Sequence, residues 1–168
     1  MPLTPFEELN RSPTDSATSR LAACNASGRW IADVLAGRPY ADPEALLTAA
    51  EKAVHALSWP DVREALDAHP RIGARAEGAS TEAAWSRREQ AAVGDSDAAT
   101  RAALHAGNVA YEQRFGHVFL IRAAGRSAEE MLAELRRRLD HDETQERAEV
   151  VEQLAQITRL RVERLITA

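Results

Sequence analysis

Signals for the start of a helix recur along the whole of this 168-residue chain, and they constrain its fold more than any other feature. Residues 4–7, 127–130 and 142–145 each place a Thr, Ser or Asp three positions before a Glu or Gln, the capping-box pattern of a first helical turn. Only residues 118–121 have the composition of a strand, and a single strand would have no partner. The sequence therefore predicts an all-α fold, arranged as one domain over residues 1–168.

Breaks between the predicted helices fall at glycine and proline residues. The pattern predicts one helix over residues 16–35, a loop over residues 73–80 and a further helix over residues 81–93. His69 directly precedes Pro70, and the residue before a proline is disfavoured in the helical region. We therefore expect His69 on an extended segment where a helix ends.

Composition excludes several classes of function. The net charge of −5 argues against a nucleic-acid-binding protein, since phosphate neutralisation needs a basic surface, and the arginine run 136–138 is interpreted as a solvated helix face. The single cysteine, Cys24, excludes an internal disulfide and is interpreted as a buried apolar residue in a reducing compartment. No apolar run reaches the length of about 18 residues that a membrane span needs, and no signal peptide is recognisable. We expect a cytoplasmic protein that binds neither membrane nor nucleic acid.

Polar side chains on the helix predicted over residues 81–93 are candidates for chemistry. Glu89 falls one turn after Trp85 and one before Val93, which predicts a place on the buried stripe. A buried carboxylate is costly unless it is paired or protonated, so Glu89 is either the ion partner of an arginine or a functional group. Ser86 and Gln90 lie one turn apart on a neighbouring face and are placed to offer a hydroxyl and an amide to the same ligand.

Arg161 falls on the apolar stripe of the last predicted helix, between Leu154 and Leu165. Its guanidinium must either reach water by snorkelling or meet an acceptor, and its planar fork suits a carboxylate or carbonyl. The five histidines include no pair at the spacing of a helical metal site. His117 is either structural or part of a site. From the residues alone, a small helical enzyme and a helical interaction module both remain open.

Four motifs, taken in order, carry a resemblance to a known family: residues 69–73 (HPRIG), 86–90 (SRREQ), 115–127 (FGHVFLIRAAGRS) and 157–161 (ITRLR). Together they resemble the bacterial form of the OHCU decarboxylases (2-oxo-4-hydroxy-4-carboxy-5-ureidoimidazoline decarboxylases) of purine catabolism, over nearly the whole chain. The resemblance implies an all-α homodimer that uses no metal or organic cofactor. It also implies a carboxy-lyase reaction, in which OHCU, the ureide substrate, loses CO2 and becomes the product (S)-allantoin, the last step of urate degradation to allantoin.

The resemblance also implies roles for individual residues. The catalytic histidine of the family corresponds to His69, and the carboxylate of its catalytic site corresponds to Glu89. His117 and Val118 stand where eukaryotic members have an aromatic residue and a proline. The alternatives are a non-catalytic helical interaction module and a hydrolase acting on a neighbouring ureide such as 5-hydroxyisourate. The implied substrate-binding residues are Pro70, Ser86, Arg87, Arg88, Glu89, Gln90, Phe119, Leu120, Ile121, Arg122, Ala123 and Arg161.

Overall fold

The computed structural model describes residues 1–74 and 78–167, which form ten α-helices and no strand. The all-α prediction is therefore confirmed, and residues 118–121 are irregular rather than a strand. The helices are α1 (Pro5–Arg11), α2 (Thr14–Ala22), α3 (Gly28–Ala36), α4 (Pro43–His55), α5 (Trp59–Leu66), α6 (Thr81–Glu89), α7 (Ala91–Gly94), α8 (Ala98–Phe115), α9 (Ala128–Arg138) and α10 (Glu143–Thr167).

The three predicted capping boxes begin helices α1, α9 and α10. In α1 and α9 the side chains of Thr4 and Ser127 accept the amide of the third helical residue, and the glutamate at that position accepts the amide of the cap. In α10, Asp142 accepts from the amide of Gln145 at 2.8 Å, and the Gln145 side chain accepts from the amide of Asp142 at 3.0 Å. These local side-chain bonds satisfy amides that a helix leaves unpaired at its start.

The contacts of the chain divide it into two units. One, here called the N-terminal unit, contains Met1–Ala65 together with the C-terminal residues from Leu154 onward. The other, the central unit, contains Leu66–Gln153. Helix α10 therefore begins in the central unit and ends in the N-terminal unit.

The core of the N-terminal unit includes Trp30, whose side chain is fully buried. Its indole Nε1 donates to the carbonyl oxygen of Ala50 at 3.0 Å, so α3 and α4 are joined by a polar contact as well as by packing. Cys24 is buried, as predicted. Further buried apolar side chains of this unit include Leu9, Leu21, Val34, Leu46 and Val54.

The continuous helix predicted over residues 16–35 is wrong, because the chain leaves the helix between Ala22 and Gly28. Asn25 Oδ1 accepts from the amide of Ser27 at 2.9 Å, and Ser27 Oγ in turn accepts from the amide of Trp30 at 3.3 Å. Such side-chain bonds to nearby amides compete with helical hydrogen bonds, and here they end one helix and begin the next.

The helix predicted over residues 81–93 is also divided. Helix α6 ends at Glu89, because the backbone of Gln90 (φ −97°, ψ 12°) leaves the helical geometry, and the short α7 follows. The loop predicted over residues 73–80 contains residues 75–77, which lie outside the described residues. The described residues on either side of them, 73–74 and 78–80, are not helical.

The core of the central unit is built mainly from α8, α9 and the irregular residues 117–123. Tyr111 lies within it and makes edge-on contact with the ring of Phe119, at a centroid distance of 5.3 Å. No helix in the described part of the chain has both the length and the apolar character needed to cross a membrane. The buried members of this core are Ile72, Val93, Leu104, Tyr111, Phe119, Ile121, Ala123, Ala128, Met131 and Leu135.

Candidate active site

His69 lies just beyond the end of α5, as the proline after it predicts. The helix ends at Leu66, and the amide of His69 donates to the Leu66 carbonyl at 2.9 Å. His69 and Pro70 are both half-buried and outside any helix. The prediction that His69 lies where a helix ends is confirmed, but the bond from its amide to Leu66 belongs to a turn and not to the extended segment expected.

Two neutral side chains hold the backbone that follows Pro70. Gln90 accepts from the amide of Gly73 through Oε1 at 2.8 Å and donates through Nε2 to the carbonyl of Arg71 at 3.3 Å. Asn108, buried on α8, donates through Nδ2 to the carbonyl of Ile72 at 2.8 Å. Three successive residues after the His-Pro pair are thus fixed by amide side chains.

A pocket of about 350 Å³ opens beside His69. Ser86 contributes to it from α6 and is itself buried, so the pocket brings His69, Pro70 and Ser86 together. Its polar lining also includes carboxylates from Asp67 and Glu82. The remaining lining residues are Ala68, Ser80 and Ala83.

A second pocket, of about 290 Å³, also includes Ser86 and brings it together with Arg87 and Gln90. The guanidinium of Arg87 donates through Nη1 to the carbonyl of Gly78 at 3.0 Å. Ser86 is therefore a lining residue of both pockets. The other lining residues are Gly73, Ala74, Ala91, Val93, Gly94 and Arg101.

Glu89 is half-buried, so its predicted place on the buried stripe of its helix is wrong. The buried residues of α6 are Ala83, Trp85 and Ser86, and the helix ends at Glu89 itself. Within the described residues, Glu89 lines neither of the two pockets, and Arg88 is exposed. Hydrophobic spacing does not specify where a helix ends. Because α6 ends at Glu89, this side chain has different surroundings from a residue within the helix.

Residues 117–123, which include the predicted substrate-binding segment, run through the core of the central unit. Phe119, Leu120, Ile121 and Ala123 are all buried, and Arg122 is half-buried. The four buried apolar side chains supply packing, and the polar groups of the segment are its backbone and the side chains of His117 and Arg122.

The backbone of this segment is anchored at two residues. Arg138 donates through Nη1 to the carbonyl of Leu120 at 2.7 Å. The amide of Arg122 donates to Gln153 Oε1 at 2.9 Å, and the Arg122 carbonyl accepts from Arg126 Nε at 2.9 Å. A segment without strand neighbours is thus fixed by side chains from α9, α10 and the turn that precedes α9.

Arg138 is fully buried, so the interpretation of residues 136–138 as a solvated face is wrong for this arginine, although Arg136 and Arg137 are exposed. Its Nε lies 3.1 and 3.0 Å from the two carboxylate oxygens of Glu146, and its Nη2 lies 2.6 Å from Oε2. Glu146 is also fully buried. The sequence contained a signal for this burial, because Arg138 continues the helical spacing of the apolar Met131 and Leu135.

Two further groups complete this buried cluster around Glu146. The hydroxyl of Tyr111 donates to Glu146 Oε2, and Nδ1 of the half-buried His141 lies 3.2 Å from Oε1. Burial first, and then the bond to the Glu146 carboxylate, raise the pKa of Tyr111 well above its ordinary value of 10.0. The phenol therefore remains a hydrogen-bond donor at neutral pH.

His117 is buried, and its ring stands edge-on to Tyr111 at a centroid distance of 5.5 Å. Its Nδ1 lies 3.0 Å from the carbonyl oxygen of Val118. These contacts favour the structural alternative for this histidine.

Arg161 belongs to the N-terminal unit and is 1% exposed, which contradicts the snorkelling alternative. Its Nη1 lies 3.3 Å from the carbonyl oxygen of Ala23, within the turn that ends α2. A buried guanidinium keeps several donors in a fixed plane, an arrangement suited to planar acceptors.

Among the residues that the structure describes, no group of three or more His, Cys, Asp or Glu side chains is placed to hold a metal ion.

Comparison with known families decides between the alternatives. The sequence model of the OHCU decarboxylase family matches residues 10–163 of this chain. The chain belongs to the OHCU decarboxylase family. The match covers all four motifs that carry the resemblance.

Individual relatives agree with membership of the OHCU decarboxylase family. A 2-oxo-4-hydroxy-4-carboxy-5-ureidoimidazoline decarboxylase of Haloferax volcanii is 25% identical over 94% of this chain and 93% of its own length. A protein of the same name from Amia calva is 30% identical over 80% of this chain and 78% of its own length. A crystal structure of an OHCU decarboxylase in the presence of (S)-allantoin has a TM-score of 0.74 at 24% identity, covering 88% of this chain and 96% of the other. The structural likeness confirms the fold.

Proposed function

We propose that this chain is a carboxy-lyase that converts OHCU to (S)-allantoin, the last step of urate degradation to allantoin. The family match over residues 10–163 carries this proposal. The two relatives from Haloferax volcanii and Amia calva, both named as this decarboxylase, support it. The pocket that contains His69 and Ser86 is an additional argument, because it places an imidazole beside a buried hydroxyl-bearing residue in a concave site.

The chemistry sets the tasks of the protein. When the C–C bond to the carboxylate breaks, CO2 leaves and its bonding electron pair moves toward the adjacent C=N of the imidazolinone ring. The ring nitrogen takes up a proton, and a second proton adds to one face of the neighbouring carbon that bears the ureido group, while the hydroxyl on the carbon that lost CO2 gives up its proton and becomes the carbonyl of allantoin. Because the substrate itself accepts the electrons, the proposed reaction needs no cofactor. The protein must hold the carboxylate out of the ring plane, stabilise the developing negative charge and deliver the proton to one face.

In this proposal His69 donates the proton or stabilises the developing charge, because an imidazole exchanges protons near neutral pH. Its place in a pocket with Pro70 and the buried Ser86 supports that role. Glu89 orients the substrate by accepting from its hydroxyl or ureido N–H group.

The remaining predicted residues bind the substrate. Ser86, Arg87 and Gln90 share the second pocket, which supports contacts to the ring and ureido group. Arg161 binds a carbonyl or carboxylate of the substrate, and its burial on α10 supports a fixed role. The other proposed contacts are Pro70, Arg88, Phe119, Leu120, Ile121, Arg122 and Ala123.

Circular dichroism of the ureide product tests the activity. OHCU is generated in place by urate oxidase and hydroxyisourate hydrolase, and the signal of (S)-allantoin is followed with and without this protein. We expect rapid appearance of the signal, and a loss of about 100-fold to 10,000-fold in His69→Asn, the range for removal of a general acid or base. His105→Asn, which changes an exposed histidine of α8, is the matched control.

Two further variants test the site. Glu89→Gln and Arg161→Ala should each lower the rate, the first in turnover and the second in substrate affinity. Near-normal turnover in both His69→Asn and Glu89→Gln would contradict the assignment of the site. A wild-type trace no faster than spontaneous decay would contradict the activity and favour a helical interaction module.

We further propose that the protein is a cytoplasmic homodimer whose chain unfolds as a single domain. The resemblance to the family supports the dimer, and a single, buried cysteine fits a reducing compartment. Light scattering after size-exclusion chromatography tests the dimer, for which a monomer mass would be the contrary result. Coincident unfolding transitions from several probes test the single domain.

A further inference from the structure

We propose that Arg138 is a positioning residue of the decarboxylation site, which orients the backbone N–H of Ile121 toward the substrate. This inference rests on the proposed function, because it takes residues 119–123 as part of the substrate-binding surface. Arg138 itself does not need to touch the substrate. It acts through the peptide group between Leu120 and Ile121.

That peptide group is planar. The carbonyl of Leu120 and the N–H of Ile121 belong to the same planar unit, and in a trans peptide they point in opposite directions. Arg138 Nη1 binds the Leu120 carbonyl at 2.7 Å. The bond therefore fixes the direction of the Ile121 N–H, which points away from Arg138.

The next peptide group is fixed in the same way. The carbonyl of Ile121 shares its plane with the N–H of Arg122, and that N–H donates to Gln153 Oε1 at 2.9 Å. Arg138 and Gln153 thus set the directions of one donor and one acceptor on the same residue. A donor beside an acceptor is complementary to an amide or ureido group, which the proposed substrate contains.

Arg138 is itself held rigidly enough for this task. Glu146 binds its Nε and Nη2, which leaves Nη1 directed at Leu120, and the guanidinium carbon lies 4.6 Å from the centre of the Phe119 ring. The hydroxyl of Tyr111 donates to Glu146 Oε2 and Nδ1 of His141 lies 3.2 Å from Oε1, so the carboxylate that holds Arg138 has a further contact on each oxygen. One planar fork therefore contacts two successive residues of the substrate-binding segment.

Stability alone does not explain this cluster. Replacing a buried ion pair by apolar groups is often neutral or stabilising, so a fully buried Arg–Glu pair points to a geometric requirement. The property that an apolar pair lacks is the donor to the Leu120 carbonyl. A lysine could not bind Glu146 and the Leu120 carbonyl at the same time as the arginine does, because its ammonium is a compact point charge rather than a fork.

Binding of (S)-allantoin and (R)-allantoin, measured by calorimetry well below the melting temperature, tests this role. We expect Arg138→Lys to weaken (S)-allantoin binding about tenfold, the effect of losing one well-oriented hydrogen bond. The preference for the (S) over the (R) form should fall as well, which a purely structural defect in a folded protein would not cause. Arg136→Lys, the same exchange at an exposed position two residues earlier, should leave both quantities unchanged.

Two further variants keep the test decisive if Arg138→Lys does not fold. The double variant Arg138→Met/Glu146→Gln removes both charges together, so that no unpaired charge is buried, yet it lacks the donor to Leu120. Gln153→Met removes the acceptor at the next peptide group. Both should lose affinity and stereochemical preference while remaining helical by circular dichroism.

The outcomes separate the two proposals. If the wild type decarboxylates OHCU and these folded variants bind (S)-allantoin as tightly as it does, the positioning role is wrong and the proposed function stands. If the wild type neither decarboxylates OHCU nor binds (S)-allantoin, the proposed function fails and the positioning role fails with it.

Discussion

Two irregular segments of the central unit, residues 69–74 and 117–123, are held by different chemistry. The first is anchored by the neutral amides of Gln90 and Asn108, and it is partly exposed. The second is buried and anchored by the charged pair of Arg138 and Glu146, with the neutral amide of Gln153 at the next peptide group.

The two kinds of anchor differ in how much stability is lost when one partner is removed. A neutral hydrogen bond contributes about 0.5–1.5 kcal/mol net, because water replaces a lost partner wherever it has access. A buried ion pair behaves differently, since loss of either member leaves a charge without compensation. We therefore expect the segment that follows His69 to tolerate loss of an anchor better than the segment around Ile121.

The largest expected effect comes from breaking the charged anchor. Glu146→Leu leaves Arg138 buried without a counter-charge, which should lower the free energy of unfolding by about 3–5 kcal/mol. Urea denaturation at neutral pH measures this. The double variant Arg138→Met/Glu146→Gln should recover most of the loss, and a single variant as stable as the double one would contradict the comparison.

A smaller loss should follow from breaking the neutral anchor. Asn108→Leu removes the donor to the buried carbonyl of Ile72, and we expect a loss of about 1–3 kcal/mol in the free energy of unfolding. Gln113→Leu, at an exposed position on the same helix, is the matched control for urea denaturation. Equal losses in Asn108→Leu and Glu146→Leu would show that the two anchors do not differ as argued.

Tyr111→Phe should produce a modest effect that depends on pH. Because the folded state raises the pKa of this phenol above 10.0, its contribution to stability is fully present below pH 10.0 and is lost as the pH rises above it. The variant should lose about 1 kcal/mol at neutral pH but lose less additional stability than the wild type in alkali.

Denaturation at several alkaline pH values measures this difference. Tyr40, the other tyrosine, also has a raised pKa because of burial, so Tyr40→Phe is a control that retains the contribution of Tyr111. A wild type and a Tyr111→Phe variant with parallel pH profiles would contradict the assignment.

The smallest effect is expected at the surface of the first segment. Arg71 forms an ion pair with Glu112 at 2.8 Å, but its side chain is 62% exposed. Exposed pairs are screened by water and salt, so Arg71→Gln should leave the melting temperature unchanged within error. A clear decrease in calorimetry, present at low salt and absent at high salt, would mean that this segment also depends on charge.

Local patterns in the sequence predicted much of this fold because their causes are local. The capping boxes at Thr4, Ser127 and Asp142 involve atoms only a few residues apart, and all three begin helices. The position of His69 followed from the steric effect of the next proline. The break between α2 and α3 was missed, although its hydrogen bonds are local and come from Asn25 and Ser27, residue types that favour turns and helix caps.

The surroundings of charged residues could not be predicted in the same way. Arg138 and Glu146 lie on different helices, and the pairing that allows both to be buried is a property of the folded structure. Glu89 was expected to be buried and is half-buried, because the residue at which a helix ends determines which of its faces is covered. Family motifs indicated which residues belong to a site, while the anchors that hold its backbone became visible only in three dimensions.

Trp30 and Trp85 give this protein separate optical reporters in its two units. Trp30 is fully buried in the N-terminal unit, and Trp85, directly before Ser86 in the sequence, is buried in the central unit. With the third tryptophan, Trp59, changed to phenylalanine, each of the other two can be left as the sole indole emitter. Indole emission shifts when water reaches the ring, so the fluorescence of each single-tryptophan chain follows the melting of one unit. We expect the emission wavelength of the Trp85 chain to respond as well when a ligand binds beside Ser86.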